Sequence, residues 1–274
     1  MVTLLTLSRL SLCLSLSLYL TYIHSYSPDE FNDYQELRSA IEQWESERER
    51  ARNTYGRIET WDVSNIQNMD GLFADMKNFN NNIEDWDVSN VTSMQSMFSG
   101  ASNFNGDISG WDVSNVEDMR SMFYGAKRFN CDISGWDVSK VKNMNGMFRF
   151  AWSFARSIGD WDVSSVIDMS EMFYYAQEFR GGSIGEWDVS SVIDMSHMFD
   201  QARKFQGFGI DKWDVSSVID MSHMFDYAIS FDQDINAWNM SSVTNVDYMF
   251  KDASRFQQRI CWPTLRDEIG RAHV

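Results

Sequence analysis

Apolar residues in this chain return on a fixed long period. Trp61, Trp86, Trp111, Trp136 and Trp161 are 25 residues apart, the steps to Trp187 and Trp213 are 26, and the last step, to Trp238, is 25. Seven of these tryptophans open the phrase Trp-Asp-Val-Ser, and Trp238 opens the altered copy Trp-Asn-Met-Ser. A period of this length marks a solenoid, one coil per repeat, each coil packing on its neighbours. With Trp as position 1, Val occupies position 3 in seven copies, Met positions 9 and 12 in seven each, Phe positions 13 and 19 in all eight, and Ala position 16 in seven. Positions 1 and 3 alternate with polar residues, which predicts a short strand. Positions 6, 9, 12/13 and 16 step by three or four, which predicts a helix face. Between them lie Ser165-x-x-Asp168, Ser191-x-x-Asp194 and Ser217-x-x-Asp220, which read as capping boxes with Asp in place of Glu. The expected architecture is α/β, a single-domain right-handed solenoid of eight 25–26-residue strand–helix repeats. The recurrent Met and Phe columns read as its core.

The segments outside the repeats divide the chain further. Residues 1–27 read as a secretory signal peptide, with Arg9 before an apolar run from Leu10 to Leu20 and the small-x-small pattern Ser25-Tyr26-Ser27 after it. That run is shorter than the ~20 residues of a membrane span, so no span is expected in the mature chain. Residues 28–58 carry Phe31, Tyr34, Leu37, Ile41 and Trp44 at helical spacing and read as a capping helix and partial coil that covers the first repeat. Residues 59–262 are the repeat solenoid. Residues 263–274 read as a truncated tail, its last seven residues matching a reading frame of a common sequencing adapter.

Charge narrows the partners. The 23 basic and 40 acidic residues give a formal net charge of −17, which argues against nucleic acid and anionic membranes. Hydrophobic residues make up 43%, enough for a continuous core. Cys131 and Cys261 are about five coils apart, beyond disulfide reach, so the repeated core must carry the stability.

The string Phe104-Asn-Gly-Asp-Ile-Ser-Gly-Trp-Asp-Val-Ser-Asn-Val116, followed by Met119, Met122-Phe123 and Ala126, resembles the BspA-like leucine-rich-repeat surface proteins, also described as the bacterial surface protein 26-residue repeat. The lead-in Leu37-x-x-Ala40-Ile41-x-x-Trp44 with Tyr55-Gly56-x-Ile58 is similar to that of algal and protist members. The resemblance covers about residues 55–261. It implies a leucine-rich-repeat-like fold, secretion or surface attachment, and no catalytic activity.

Each chemical motif has a structural and a functional reading. The ladder Asp62, Asp87, Asp112, Asp137, Asp162, Asp188 and Asp214 at position 2 suits acceptors of turn N–H groups; the alternative is a calcium-binding edge, with Asp87, Asp112 and Asp137 as metal candidates. The Trp ladder reads as core or core edge, with carbohydrate stacking as the alternative. His197 and His223 hold the same position in adjacent coils, with Glu171 one coil earlier, and form a weak Zn or Cu candidate; recent duplication explains the pair equally well. Asn90-Val-Thr and Asn239-Met-Ser are glycosylation sequons. No nucleophile–base pair or phosphate loop appears, and polar residues that recur in every repeat do not make the single asymmetric constellation of an enzyme. No catalytic activity and no cofactor are therefore expected. The expected function is a secreted or cell-surface binding or adhesion scaffold for an extracellular protein or glycan. Selectivity is placed at exposed position 14: Tyr124, Arg149, Tyr174, Asp200 and Asp226. The alternatives are a structural spacer without ligand and a calcium-binding repeat protein.

Overall fold

The structure, a computed structural model, describes residues 30–262. The expected signal peptide and the tail 263–274 lie outside the described residues. Two α-helices, α1 (Tyr34–Ser46) and α2 (Arg48–Tyr55), precede the repeats, and three single-turn 3-10 helices lie at Ile58–Thr60, Ile184–Glu186 and Ile210–Lys212. The repeats stack as coils. Neighbouring coils meet through one parallel bridge residue each, at position 8, running Asn68, Ser93, Asp118, Asn143, Asp168, Asp194, Asp220 and Asn245.

The α/β expectation of leucine-rich-repeat-like strand–helix coils is overturned. Among the described residues no α-helix lies within the coils, and the parallel pairing is of isolated bridges rather than strands. The cause lies in positions 9–16. Position 11 has positive φ in every coil, as at Ser96 (56°), Gly146 (58°) and His197 (56°); so does position 15, as at Asp75 (61°), Gly125 (65°) and Tyr175 (58°). A left-handed residue every fourth position cannot lie in a right-handed helix. It instead closes tight turns in which position 12 donates to the carbonyl of 9, and 16 to that of 13, as in Met97 N–H to Met94 O (3.2 Å) and Ala101 N–H to Phe98 O (3.0 Å). The N–H groups at positions 9, 11, 13 and 15 then point along the stack. Met94, Ser96, Phe98 and Gly100 donate to the carbonyls of Asp118, Arg120, Met122 and Tyr124 in the next coil at 2.7–2.9 Å. A corner every three or four residues places side chains inward with the period of a helix. The capping-box reading fails with the helix: Asp168 Oδ1 accepts the N–H of Ser170, two residues onward (2.9 Å), and opens the turns.

The interior is a set of aromatic columns. Phe at positions 13 and 19 stack within each coil, as in Phe98–Phe104 at 3.9 Å between centroids, and position 13 stacks between coils, as in Phe98–Phe123 at 5.7 Å. Each Trp from Trp86 to Trp238 donates its indole N–H to the carbonyl of the Ile that precedes the previous coil's Trp; Trp136 Nε1 reaches Ile108 O at 3.1 Å. Trp262 makes the same bond to Ile235 O (3.4 Å) and so occupies position 1 of a further turn. The extra residue in the 26-residue repeats lies between Phe179 and Ile184 and between Phe205 and Ile210, just before the 3-10 turns that lead into Trp187 and Trp213.

The first coil has no coil before it, and α1 closes that end. Asp33 caps the helix by accepting the Glu36 N–H, and Leu37, Ala40, Ile41 and Trp44 are buried. Tyr34 Oη donates to Asp70 O (2.8 Å), and Arg38 Nη1 donates to Gly71 O and Leu72 O (2.7 Å each). Asp70 and Leu72 hold positions 10 and 12, whose carbonyls in later coils accept from the preceding coil. The helix side chains thus satisfy an edge that would otherwise be open. Trp61 sits under Phe31, Trp44 and Tyr55, and its buried Nε1 has no partner among the described residues.

Two pairs of variants test these contacts. An added Cβ at Gly125 meets nothing closer than 3.8 Å, so Gly125→Ala incurs backbone strain without a clash; chemical denaturation should show a loss of about 1–2 kcal/mol, against a near-neutral Gly110→Ala, where no atom lies within 4 Å. Trp136→Phe should cost more than Trp61→Phe by about 1–2 kcal/mol, because only the former strands a buried carbonyl; equal losses would show that the indole bonds contribute nothing.

Candidate functional site

Most side chains of the coils repeat, and those that differ gather on one surface. Positions 11, 14 and 15 carry Tyr124, Arg149, Phe150, Glu171, Tyr174, Tyr175, His197, Asp200, His223, Asp226, Tyr227 and Tyr248. The rings form an unbroken series of contacts across six coils: Tyr124–Phe150 (5.7 Å), Phe150–Tyr174 (5.3 Å), Tyr174–His197 (6.0 Å), His197–His223 (4.4 Å) and His223–Tyr248 (4.9 Å). The Arg149 guanidinium lies 4.9–5.4 Å from the rings of Tyr124, Phe150 and Tyr174 and pairs with Glu171. This ridge exists because position 11 and 15 residues, held at positive φ, turn their side chains off the coil instead of into it.

The sequence reading placed Asp200 and Asp226 among exposed selectivity residues; the structure corrects this, since each is 5% exposed. Their Oδ2 atoms accept from, or donate to, Nδ1 of His197 and His223 at 2.9 Å each. The hydrogen bond to Asp200 raises the His197 pKa above the ordinary imidazole value, and burial raises that of Asp200 against the same bond. Both shifts favour the protonated forms, so the pair contributes most below the usual imidazole range, and its contribution fades as pH climbs through the raised His197 value. Sequence reasoning picked out the two histidines and position 14 but missed Phe150, Tyr175 and Tyr248 and the pairing of the histidines with Asp200 and Asp226. The available signal was variability at positions 11 and 15, where the helix reading gave no reason to look.

The other candidates are engaged in the coil. Each Asp of the position 2 ladder accepts the N–H of the Ser two residues on, at 3.0 Å for Asp87, Asp112 and Asp137. The seryl hydroxyl joins at 2.6 Å in Asp87 and Asp137. The Ser139 hydroxyl, then its N–H, hold the Asp137 carboxyl below the ordinary carboxylate value, and the same applies at Asp112 with Ser114. The ladder tryptophans from Trp61 to Trp238 are 3–4% exposed, too covered to present a face to a sugar. Asn90 Nδ2, the sequon nitrogen, donates to Ser64 O in the previous coil (2.8 Å), and Asn239 Oδ1 accepts the Ser241 N–H (3.2 Å). Cys131 and Cys261 are free thiols. Among the described residues no helix is long and apolar enough to cross a membrane.

The family model described as "Mycoplasma protein of unknown function, DUF285" matches residues 46–158 and again 142–263. The chain belongs to the DUF285 family. That is a repeat-protein family, and the match does not place the chain among BspA-like leucine-rich repeats. Among curated proteins none matches it. The double match to the DUF285 model covers α2 and the coils, and the ridge from Tyr124 to Tyr248 lies inside it.

For Asp112 and Asp137 the sign of the pH effect follows from the lowered carboxyl values. Stability is full above the unfolded value of about 4 and is lost as pH falls through the lower folded values. Asp137→Ala should lower stability at pH 7 by about 1 kcal/mol, while Asp137→Asn, which keeps an acceptor oxygen, should lose less and flatten the acid limb of a Tm-against-pH curve.

Proposed function

We propose that this DUF285 chain is an interaction scaffold, secreted or held at the cell surface, that binds an extracellular protein or glycan through the ridge running from Tyr124 to Tyr248. The observation that carries this reading is the ridge itself. Non-repeating aromatic and Arg side chains, in continuous contact and partly exposed, are collected on one strip of an otherwise repetitive surface. Tyr and Arg are the residue types that most often anchor recognition. An exposed apolar row supports it further: Ile167, Ile193 and Ile219, at position 7 of three successive coils, are each 43–47% exposed. Extended contact along stacked coils lets modest contacts add. The resemblance of the Trp-Asp-Val-Ser segments to bacterial surface-protein repeats supports the extracellular placement.

Arrays of glycans and extracellular matrix proteins test the reading. Binding should fall at least tenfold in Arg149→Ala and Tyr174→Ala and persist in Asp62→Asn, which lies off the ridge. Silence of the wild-type protein across both arrays, with a rigid rod in X-ray scattering, would favour a spacer without ligand.

A further inference from the structure

The middle of the ridge holds a group of titratable side chains whose arrangement recognition by rings does not require. His197 and His223 stack with centroids 4.4 Å apart and planes 7° apart, in adjacent coils, with backbone φ of 56° and 55°. Each ring is fixed on its Nδ1 side by a carboxylate three residues on, Asp200 or Asp226, at 2.9 Å. Both carboxylates are 5% exposed, and their remaining oxygens, Asp200 Oδ1 and Asp226 Oδ1, are buried without a partner. His197, Asp200 and His223 bring ligand atoms within 4.8 Å of one another. Two buried, under-satisfied carboxylates cost stability, which calls for positive charge at this spot.

We propose that His197 and His223 supply two nitrogen ligands to one divalent transition-metal ion of the Zn2+ or Cu2+ class, with Asp200 and Asp226 as positioning residues behind them. A carboxylate on Nδ1 selects the tautomer with its proton on that nitrogen and leaves the Nε2 lone pair for a metal, the arrangement by which metal-bound imidazoles are held. The two rings lie face to face, so their in-plane Nε2 lone pairs occupy parallel planes and meet at one ion only when the rings splay apart. The histidine side chains are 34% and 27% exposed, which leaves a path for an ion and room for water ligands. With bonds of about 2.1 Å the two nitrogens must lie roughly 3.4 Å apart, with the rings splayed out of their parallel stack. Tetrahedral completion draws on water or on Glu171, the position 11 residue of the preceding coil, now paired with Arg149. Calcium is disfavoured, because it takes oxygen donors. The ion would clamp coil six to coil seven.

Titration of the untagged full chain with ZnCl2 at pH 7.5 by calorimetry is the test, with CuCl2 and electron paramagnetic resonance as its spectroscopic arm. One equivalent of Zn2+ should bind, and the melting temperature should rise by about 3–8 °C at saturation. The Cu2+ spectrum should show coupling to two nitrogens. His197→Asn and His223→Asn, chosen because Asn tolerates the left-handed backbone, should each weaken binding at least tenfold. Asp200→Asn should weaken Zn2+ binding less than either histidine variant, with two-nitrogen coupling retained. Unchanged affinity in the double histidine variant would assign the ion to Cys131, Cys261 or the other histidines and overturn the proposal. So would no binding to the wild type, or a Cu2+ spectrum with one nitrogen, a measurement that needs no variant to fold. None of these outcomes depends on whether the ridge binds a macromolecule.

Discussion

Everything in this molecule depends on where four backbone N–H groups per coil point. At positions 9, 11, 13 and 15 they leave the coil and meet carbonyls 8, 10, 12 and 14 of the next one. A chain can send alternate N–H groups in one direction through such tight corners only if some residues take the left-handed conformation, and positions 11 and 15 do so in all eight repeats. That conformation costs about 1–2 kcal/mol for a residue other than glycine, and twelve of the sixteen positions are not glycine. The stack of inter-coil hydrogen bonds and the aromatic columns beneath offset it. The same device that holds the coils together therefore also stores local strain along one strip.

That strip is where the repeats differ. Side chains at positions 3, 6, 9, 12, 13, 16 and 19 face a core that every coil shares, so substitution there disturbs two neighbours at once. Side chains at 11 and 15 stand off strained corners and face outward, with 14 between them. They are released from the packing constraint yet fixed in spacing by the coil beneath. The result is a row of Tyr, Phe, His, Arg and buried Asp held in register about one coil apart, which is the physical basis both for a recognition surface and for a two-histidine ion site. The N-terminal helices belong to the same logic. Tyr34 and Arg38 supply the donors that a preceding coil would have supplied to Asp70 and Leu72.

Much of the core was legible in the residues alone. The eight-copy period, the apolar identity of the Met, Phe and Trp columns and the turn role of Asp137 and its equivalents all follow from spacing and side-chain chemistry. The helix was not there, although its period was. Inward residues at 9, 12/13 and 16 fit a helix face and a series of three-residue corners equally well. The residues that separate the two are Gly71, Gly100, Gly125 and Gly146, set at 11 or 15, where a helix interior would disfavour them. Likewise the identical Ser-His-Met-Phe-Asp strings around His197 and His223 are plain in the sequence, but the burial of Asp200 and Asp226 is not, because it requires knowing that position 14 folds back beneath position 11.

The sequence by itself determined that this is a chain of eight like units, what fills their interior, and that no disulfide joins Cys131 to Cys261. These are consequences of period and hydrophobicity, which act locally and repeat. Only the tertiary structure decided whether a unit's N–H groups bond within it or across to the next. That choice makes the coil a set of corners instead of a strand and a helix. It also brings His197 against His223, and Arg149 among Tyr124, Phe150 and Tyr174. Contacts between residues a full repeat apart depend on how one coil sits on another, and one-dimensional spacing does not contain the direction of a backbone N–H.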